Sequence, residues 1–406
     1  MTVPQNPTWV EQVNREGEYF DLPNVVPLHY DALINAAVRR AALDDFGEDG
    51  WQEPLKILCD DLDGSAELTL MGRLLARNDI LQWLDNRLQI TALIKQHPEI
   101  ALQPIISPTF IVGLPRSGTS ILFEVLSQDG GFGVAKTWEA MIPCPPPEAA
   151  TYLSDARIDQ AQKLATQWNR LVPEFSAVHE MGGNVPAECG LLMAGSFISD
   201  HIASLQMGEN YSAWYATADM APAYRFHKQV LQVLQWKNSR RRWLLKAPAH
   251  QNHLPLLLSI YPDARIIQTH RDPIKCMGSA SHLMSCLYKM RSDKAFDSAA
   301  FDDFLMGEAT AQRLELVIQQ CQQGLISTDS IYNSRYCDLM DDPMHCVEGI
   351  YAHFGFELSP QTRQKMQDYL AAKPQGKFGV HQYRSDTSER HWFQSYQAHY
   401  DVPSEV

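Results

Sequence analysis

The stretch Thr109-Phe110-Ile111-Val112-Gly113-Leu114-Pro115-Arg116-Ser117-Gly118-Thr119-Ser120, continued by Ile121, Leu122, Val125 and Leu126, decides the fold class. The run from Thr109 to Val112, bounded by Pro108 and Gly113, has the make-up of a short buried strand. Past a tight loop, apolar residues return at helical spacing, so the segment reads as strand, loop, helix. Gly113-x-x-x-x-Gly118-Thr119-Ser120 has the outline of a phosphate loop, with backbone N–H groups turned inward and a positive helix end behind them. The ATP-binding version carries Lys after the second Gly. Here Thr119 stands there, and the cation is Arg116 inside the loop. A kinase would lack its β/γ-phosphate lysine. A ligand with one 5′-phosphate and a second anionic group would still meet Arg116, the amides and two hydroxyls.

Further strands read at 242–246 and 264–270, each followed by a helical pattern, at 250–260 and 273–290. Ser330 to Tyr336 reads as a fourth strand before a helix from Pro343 to Phe354, and Gly133 to Lys136 as one more short strand. Strands alternating with helices predict an α/β fold, a P-loop-like parallel sheet covered by helices on both faces. Residues 1–104 read as a helical N-terminal extension packed on an α/β domain of residues 105–406, with an independent partner-binding domain as the alternative. In the extension, Asp31 is placed to cap a helix bearing Leu33, Ile34, Ala37, Val38 and Leu43. Thr69 is placed to cap a longer one bearing Leu70, Leu74, Leu81, Leu84 and Leu88, and Gly and Asp clusters at 44–50 and 60–65 separate the helices.

The chain has 406 residues, 45% apolar and 20% charged, enough for a sizeable core. Asp plus Glu outnumber Lys plus Arg by 48 to 34, giving a net charge of −14, which argues against a generic nucleic-acid binder. The eight cysteines contain no CxxC pair, which argues against a zinc ribbon and for reduced thiols in a cytoplasmic protein. No charged region followed by an apolar stretch opens the chain, so no signal peptide is expected. The richest apolar stretch, Cys189 to Leu205, is interrupted by Ser199, Asp200 and His201, too short and polar for a membrane span. His250 and His253 are three apart without an acidic or thiol partner nearby, so no metal is expected. A homo-oligomer is left open.

A second anion-binding pattern is His270-Arg271-Asp272-Pro273-Ile274-Lys275-Cys276-Met277-Gly278-Ser279. Arg271 ends a strand, Ser279 lies about two turns into the next helix, and Asp272-Pro273 turns the chain so that both can flank one anion. With these two patterns the sequence resembles the sulfotransferases that use 3′-phosphoadenosine 5′-phosphosulfate, closest to the bacterial branch with a Gly-Leu-Pro-Arg-Ser-Gly-Thr loop. The resemblance implies that Arg116, Ser117, Gly118, Thr119 and Ser120 hold the 5′-phosphosulfate, and that Arg271 and Ser279 hold the 3′-phosphate. It places Lys246, in Leu245-Lys246-Ala247-Pro248, near the transferred sulfuryl group, and Tyr336 beside the adenine. The tail around Lys377 would close over the donor. The product would be 3′-phosphoadenosine 5′-phosphate, with no metal required.

Sulfuryl transfer is in-line, so positioning and charge neutralisation dominate, with Lys246 and Arg116 offsetting charge on the leaving oxygen. A hydroxyl acceptor also needs a base. In the cytosolic phenol and steroid branch a histidine follows the lysine by two residues; here that position is Pro248. Two other residues compete for the role. Glu139 lies 23 residues after Arg116, resembling the glutamate base of tyrosylprotein sulfotransferases, and is the first choice. His179 lies 63 residues after Arg116, resembling the histidine of sulfotransferase domains in polyketide pathways, and Glu188 is close enough to tune it. Either could instead orient the acceptor. The Pro-rich loop Met141–Pro147, the run Leu283, Met284, Leu287, Tyr288 and Met290, and Trp138 and Phe132 suggest an apolar or amphipathic alcohol, a small molecule or a lipid. The competing readings are an ATP-dependent small-molecule kinase and a catalytically silent nucleotide-binding protein.

Overall fold

The structure is a computed structural model that describes residues 4–294, 296–297, 307–373 and 387–406, without the side chains of residues 178 and 277–279. Four parallel strands form the sheet: β1 (Thr109–Gly113), β2 (Leu244–Lys246), β3 (Arg265–His270) and β4 (Ile331–Arg335), in the order β2-β1-β3-β4. β1 pairs through Phe110 with Leu245 on one side and with Ile266 on the other. Successive side chains of a strand point to opposite faces. Phe110, Val112, Leu245 and Ile266 therefore join one core, shared with Val230, Leu231 and Leu234 of the Ala221–Trp236 helix and Leu257 of the Leu254–Ile260 helix. Ile111, Leu244 and Ile267 join the other, shared with Leu122 and Val125 of the Thr119–Leu126 helix, Val347 and Ile350 of Pro343–Phe354, and Met366 of Pro360–Ala372. Both faces of the parallel sheet are covered, as the alternating pattern predicts.

The chain leaves β1 for β2 on one side and β3 on the other. Such a reversal of strand order opens a crevice at the carboxyl ends of the strands, where α/β sheets bind ligands. Gly113, Lys246, His270 and Arg335 end the four strands at that crevice.

Two local expectations are corrected. Gly133 to Lys136 is no strand: Gly133 makes a single bridge to Trp243, after which Ala135 accepts from the Ala187 N–H (2.8 Å) and Lys136 bridges to Pro186. The segment is drawn off the sheet by the 185–187 loop. Asp31 does not cap its helix. His29 does, its Nδ1 accepting from the Ala32 N–H at 3.3 Å, and Asp31 sits in the first turn.

Thr69 caps the Leu70–Gln96 helix, its Oγ1 accepting from Gly72 N–H at 3.1 Å. The helix Gln52–Asp63 runs through most of the acidic 60–65 cluster, because Asp61 is buried and accepts from the Tyr211 N–H (2.8 Å) and Asn210 Nδ2 (2.6 Å). The apolar side chains of the first hundred residues are completed by others from later in the chain. Leu33, Leu55, Leu84 and Leu88 share one core with Phe197, Ile202, Leu205, Cys286 and Leu287. All eight cysteines are free thiols. Among the described residues no helix is long and apolar enough to cross a membrane.

Candidate active site

The loop after β1 is built around two backbone reversals. Arg116 takes a left-handed φ of 69°, and Gly118 follows at φ 97°. A Cβ on Gly118 would also come within 3.0 Å of the Tyr336 ring and 3.1 Å of Leu339, so this position needs glycine twice over. Ser117 is buried and pins the turn, its hydroxyl 2.6 Å from both the Leu114 carbonyl and Thr269 Oγ1. No side chain caps the Thr119–Leu126 helix, which leaves its first N–H groups facing the crevice.

The left-handed turn aims the Arg116 carbonyl just past the end of β3, where it accepts from Arg271 Nη1 at 2.9 Å. The Arg271 guanidinium lies 3.8 Å from the centre of the Tyr336 ring. Its Nε and Nη2 hold both carboxylate oxygens of Glu405, at 2.8 and 2.7 Å. Burial works against the Arg271 charge, but the Glu405 carboxylate outweighs it and raises the pKa. Beside them is a cavity of about 220 Å³ lined by His270, Arg271, Asp272, Tyr336, Val402 and Glu405, among others.

On the other side of β1, Lys246 ends β2 with its Nζ 3.2 Å from Ser120 Oγ and 2.5 Å from Glu188 Oε1. Burial alone would raise the Glu188 pKa, yet the Lys246 ammonium holds it below the usual carboxylate range. His179 stands in the field of the same groups. Its pKa is lowered, first by burial and then by the Lys246 and Arg116 charges, against the pull of Glu188 and Glu124. Its imidazole is thus neutral at neutral pH, and among the described residues it has no hydrogen-bond partner. Next to it, Glu180 is tied to Lys373 Nζ (2.7 Å), which also holds Glu124 (2.8 Å) on the loop helix.

The tertiary structure thus gathers Arg116, Ser117, Gly118, Thr119, Ser120, Lys246, Arg271, Tyr336 and His179 around the carboxyl ends of β1, β2 and β3. Glu139 is not among them. Its side chain is 0% exposed, with Arg240 at 2.6 Å, the Tyr152 hydroxyl at 2.8 Å and the Lys136 N–H at 2.9 Å. Burial pushes its carboxyl above the usual range, against the pull of Arg240. Ser279 lies within the Pro273–Lys289 helix, but its side chain is outside the described residues, as is Lys377 with the tail around it. His250 points into the core, its Nδ1 2.8 Å from the Tyr224 hydroxyl. Of the apolar residues read as acceptor wall, Trp138, Phe132, Leu287 and Met290 are buried in cores, while Leu283 and Met284 are half-buried. The pairing of Lys246 with Glu188 and of Arg271 with Glu405 had no sequence signal, since the partners are 58 and 134 positions apart.

Residues 108–360 match the model of the sulfotransferase family. The chain belongs to that family. This sulfotransferase is similar to the omega-hydroxy-beta-dihydromenaquinone-9 sulfotransferase Stf3 of Mycobacterium bovis and of Mycobacterium tuberculosis, 25% identical over 291 residues, 66% of this chain and 68% of theirs. Among solved structures it resembles sulfotransferase STF9 from Mycobacterium avium, with a TM-score of 0.83 and 27% identity over 93% of this chain and 98% of that one. It also resembles sulfotransferase STF1 from Mycobacterium tuberculosis, with a TM-score of 0.73 and 31% identity over 84% and 92%.

Proposed function

We propose that this sulfotransferase moves a sulfuryl group from 3′-phosphoadenosine 5′-phosphosulfate to the hydroxyl of a lipid-like or other amphipathic alcohol. The observation that carries the reading is the Arg271 contact to the Arg116 carbonyl, because it joins two distant cationic segments at one crevice beside Tyr336. The residues present fit a donor with an anion at each end and an adenine between. The uncapped loop helix and Arg116 would take the 5′ end, Arg271 the 3′-phosphate and Tyr336 the base. When bound, such a donor supplies a sulfuryl group on a phosphate leaving oxygen.

In this reading Lys246, held by Ser120, offsets charge on the leaving oxygen together with Arg116. His179, its ring neutral and without a hydrogen-bond partner among the described residues, removes the acceptor hydroxyl proton at a ring nitrogen. We assign the base to His179 rather than Glu139, because every oxygen of Glu139 is already committed inside the protein. Glu188 stabilises the imidazolium that forms and steadies Lys246. Half-buried Met181, Leu283 and Met284 lie where the N-terminal helices meet the α/β core, an apolar border for a long alcohol. The named substrate of the mycobacterial Stf3 relative is such an alcohol. A kinase reading is weaker, because Thr119 replaces the phosphate-loop lysine.

Thermal stabilisation tests the donor. At about 100 times its Kd, 3′-phosphoadenosine 5′-phosphate should add roughly 2.7 kcal/mol, and ATP should add far less. Protection by ATP and none by the bisphosphate would overturn the reading. Transfer from radiolabelled donor to a panel of isoprenoid and long-chain alcohols tests the acceptor class.

A further inference from the structure

Arg271 is not a bare cation. Two of its nitrogens grip the Glu405 carboxylate at 2.7–2.8 Å and a third is on the Arg116 carbonyl, while its face is against Tyr336. A guanidinium binds planar two-oxygen anions bidentately, and a phosphate presents the same edge as a carboxylate. Glu405 therefore satisfies Arg271 in the same way that a 3′-phosphate would.

The chain around Glu405 is anchored so that this side chain can leave without its backbone. Val402 sits in a small apolar cluster with Leu114, Ile274, Phe393 and Tyr396. Arg390 holds Asp272 (3.0 and 3.3 Å), Ser404 Oγ (2.8 Å) and the Val406 carbonyl (2.8 Å). Asp272, itself the N-cap of the Pro273–Lys289 helix, accepts from the Glu405 N–H at 2.8 Å. None of these contacts involves the Glu405 carboxylate. Its side chain is 27% exposed, so a rotamer change suffices to release Arg271.

Resting on the donor reading above, we propose that Glu405 is an intramolecular competitor for the 3′-phosphate subsite and sets the affinity for nucleoside 3′,5′-bisphosphates. A phosphate carries close to two charges and three acceptor oxygens, against one charge and two oxygens on Glu405. The bisphosphate therefore displaces the carboxylate, at a cost in affinity that speeds its release after transfer. A nucleotide with no 3′-phosphate leaves the Arg271–Glu405 pair closed and gains nothing from Arg271.

Calorimetric titration of the full chain with 3′-phosphoadenosine 5′-phosphate and with adenosine 5′-monophosphate tests this. Glu405→Gln should bind the bisphosphate about three- to tenfold more tightly, the size of a partly exposed bidentate ion pair, and bind the monophosphate unchanged. Glu405→Ala should do the same, and in an Arg271→Ala background neither change should have an effect. Unchanged or weaker bisphosphate binding by Glu405→Gln, with Arg271→Ala still weakening it, would sink the competition and leave the donor reading standing. Equal tightening for the monophosphate would also sink it. Wild-type bisphosphate affinity in Arg271→Ala would remove the donor reading itself.

Discussion

Replacing Glu139 and His179 one at a time tests the proposal that the first holds the fold and the second is the base. Glu139→Gln takes a negative charge from a site with no exposed surface, where Arg240 at 2.6 Å is only 11% exposed. The amide has one acceptor oxygen for three donors: Arg240, the Tyr152 hydroxyl and the Lys136 N–H. Whichever way it turns, a buried donor loses its partner and Arg240 loses its counter-charge. Breaking a buried pair in this way costs about 3–5 kcal/mol. The Lys136 N–H also closes the first turn of the Thr137–Met141 helix, so that helix should loosen first. Differential scanning calorimetry should show a drop of several degrees in Tm. Turnover of protein that is still folded should stay within a few-fold of wild type, because Glu139 touches none of Arg116, Ser120, Lys246 or His179. His179→Gln should do the reverse. It breaks no hydrogen bond, so Tm should move little, while turnover falls about 10²–10⁴-fold. The reasoning is refuted if Glu139→Gln keeps its Tm and loses turnover by a hundredfold while His179→Gln stays active.

Lys246→Ala should lower turnover about 10²–10³-fold with a smaller loss of bisphosphate affinity, since its proposed task is to offset charge at the leaving oxygen; single-turnover rates and titration separate the two. The pH profile follows from the lowered His179 pKa. A base works deprotonated, so kcat/KM should rise with pH through an inflection below 6.5 and be flat at neutrality; a limb centred above 6.5 would place the base elsewhere. Gly72→Ala should destabilise strongly, because its Cβ would lie 1.9 Å from the Arg291 carbonyl oxygen, and neither backbone can yield without pulling apart the Thr69–Arg291 hydrogen bond (3.0 Å); denaturant midpoints would measure it.

The sequence was most legible where structure is local. The β1 strand, its loop and its helix occupy one run of eighteen residues, and apolar spacing together with the Pro and Gly punctuation placed all three. The helix after Asp272-Pro273 was equally plain, because Asp caps and Pro starts it within two residues. Sequence reading failed in two places: His29, only two residues before Asp31, took the cap that Asp31 was placed to fill, and the distant 185–187 loop drew residues 133–136 off the sheet. Among candidate site residues, Arg116 and Arg271 stood out from their local patterns, and Lys246 from the resemblance to the sulfotransferases. The proposed division of labour between Glu139 and His179 could not be read there. Both are ionisable residues at a plausible remove from the loop, and what distinguishes them is their neighbours in space. Arg240 and Tyr152 enclose the one; Lys246, Arg116 and Glu188 surround the other.

By itself the sequence determined the alternation of strands and helices that makes the α/β class, and the phosphate loop without its lysine but with Arg116 inside it, because each of these elements is set by residues a few positions apart. Only the tertiary structure decided which carboxylates neutralise Lys246 and Arg271. Glu188 on Lys246 and Glu405 on Arg271 are pairings between segments that meet only once the parallel sheet has ordered its strands, and a charge's partner is a matter of distance in space that linear spacing does not record.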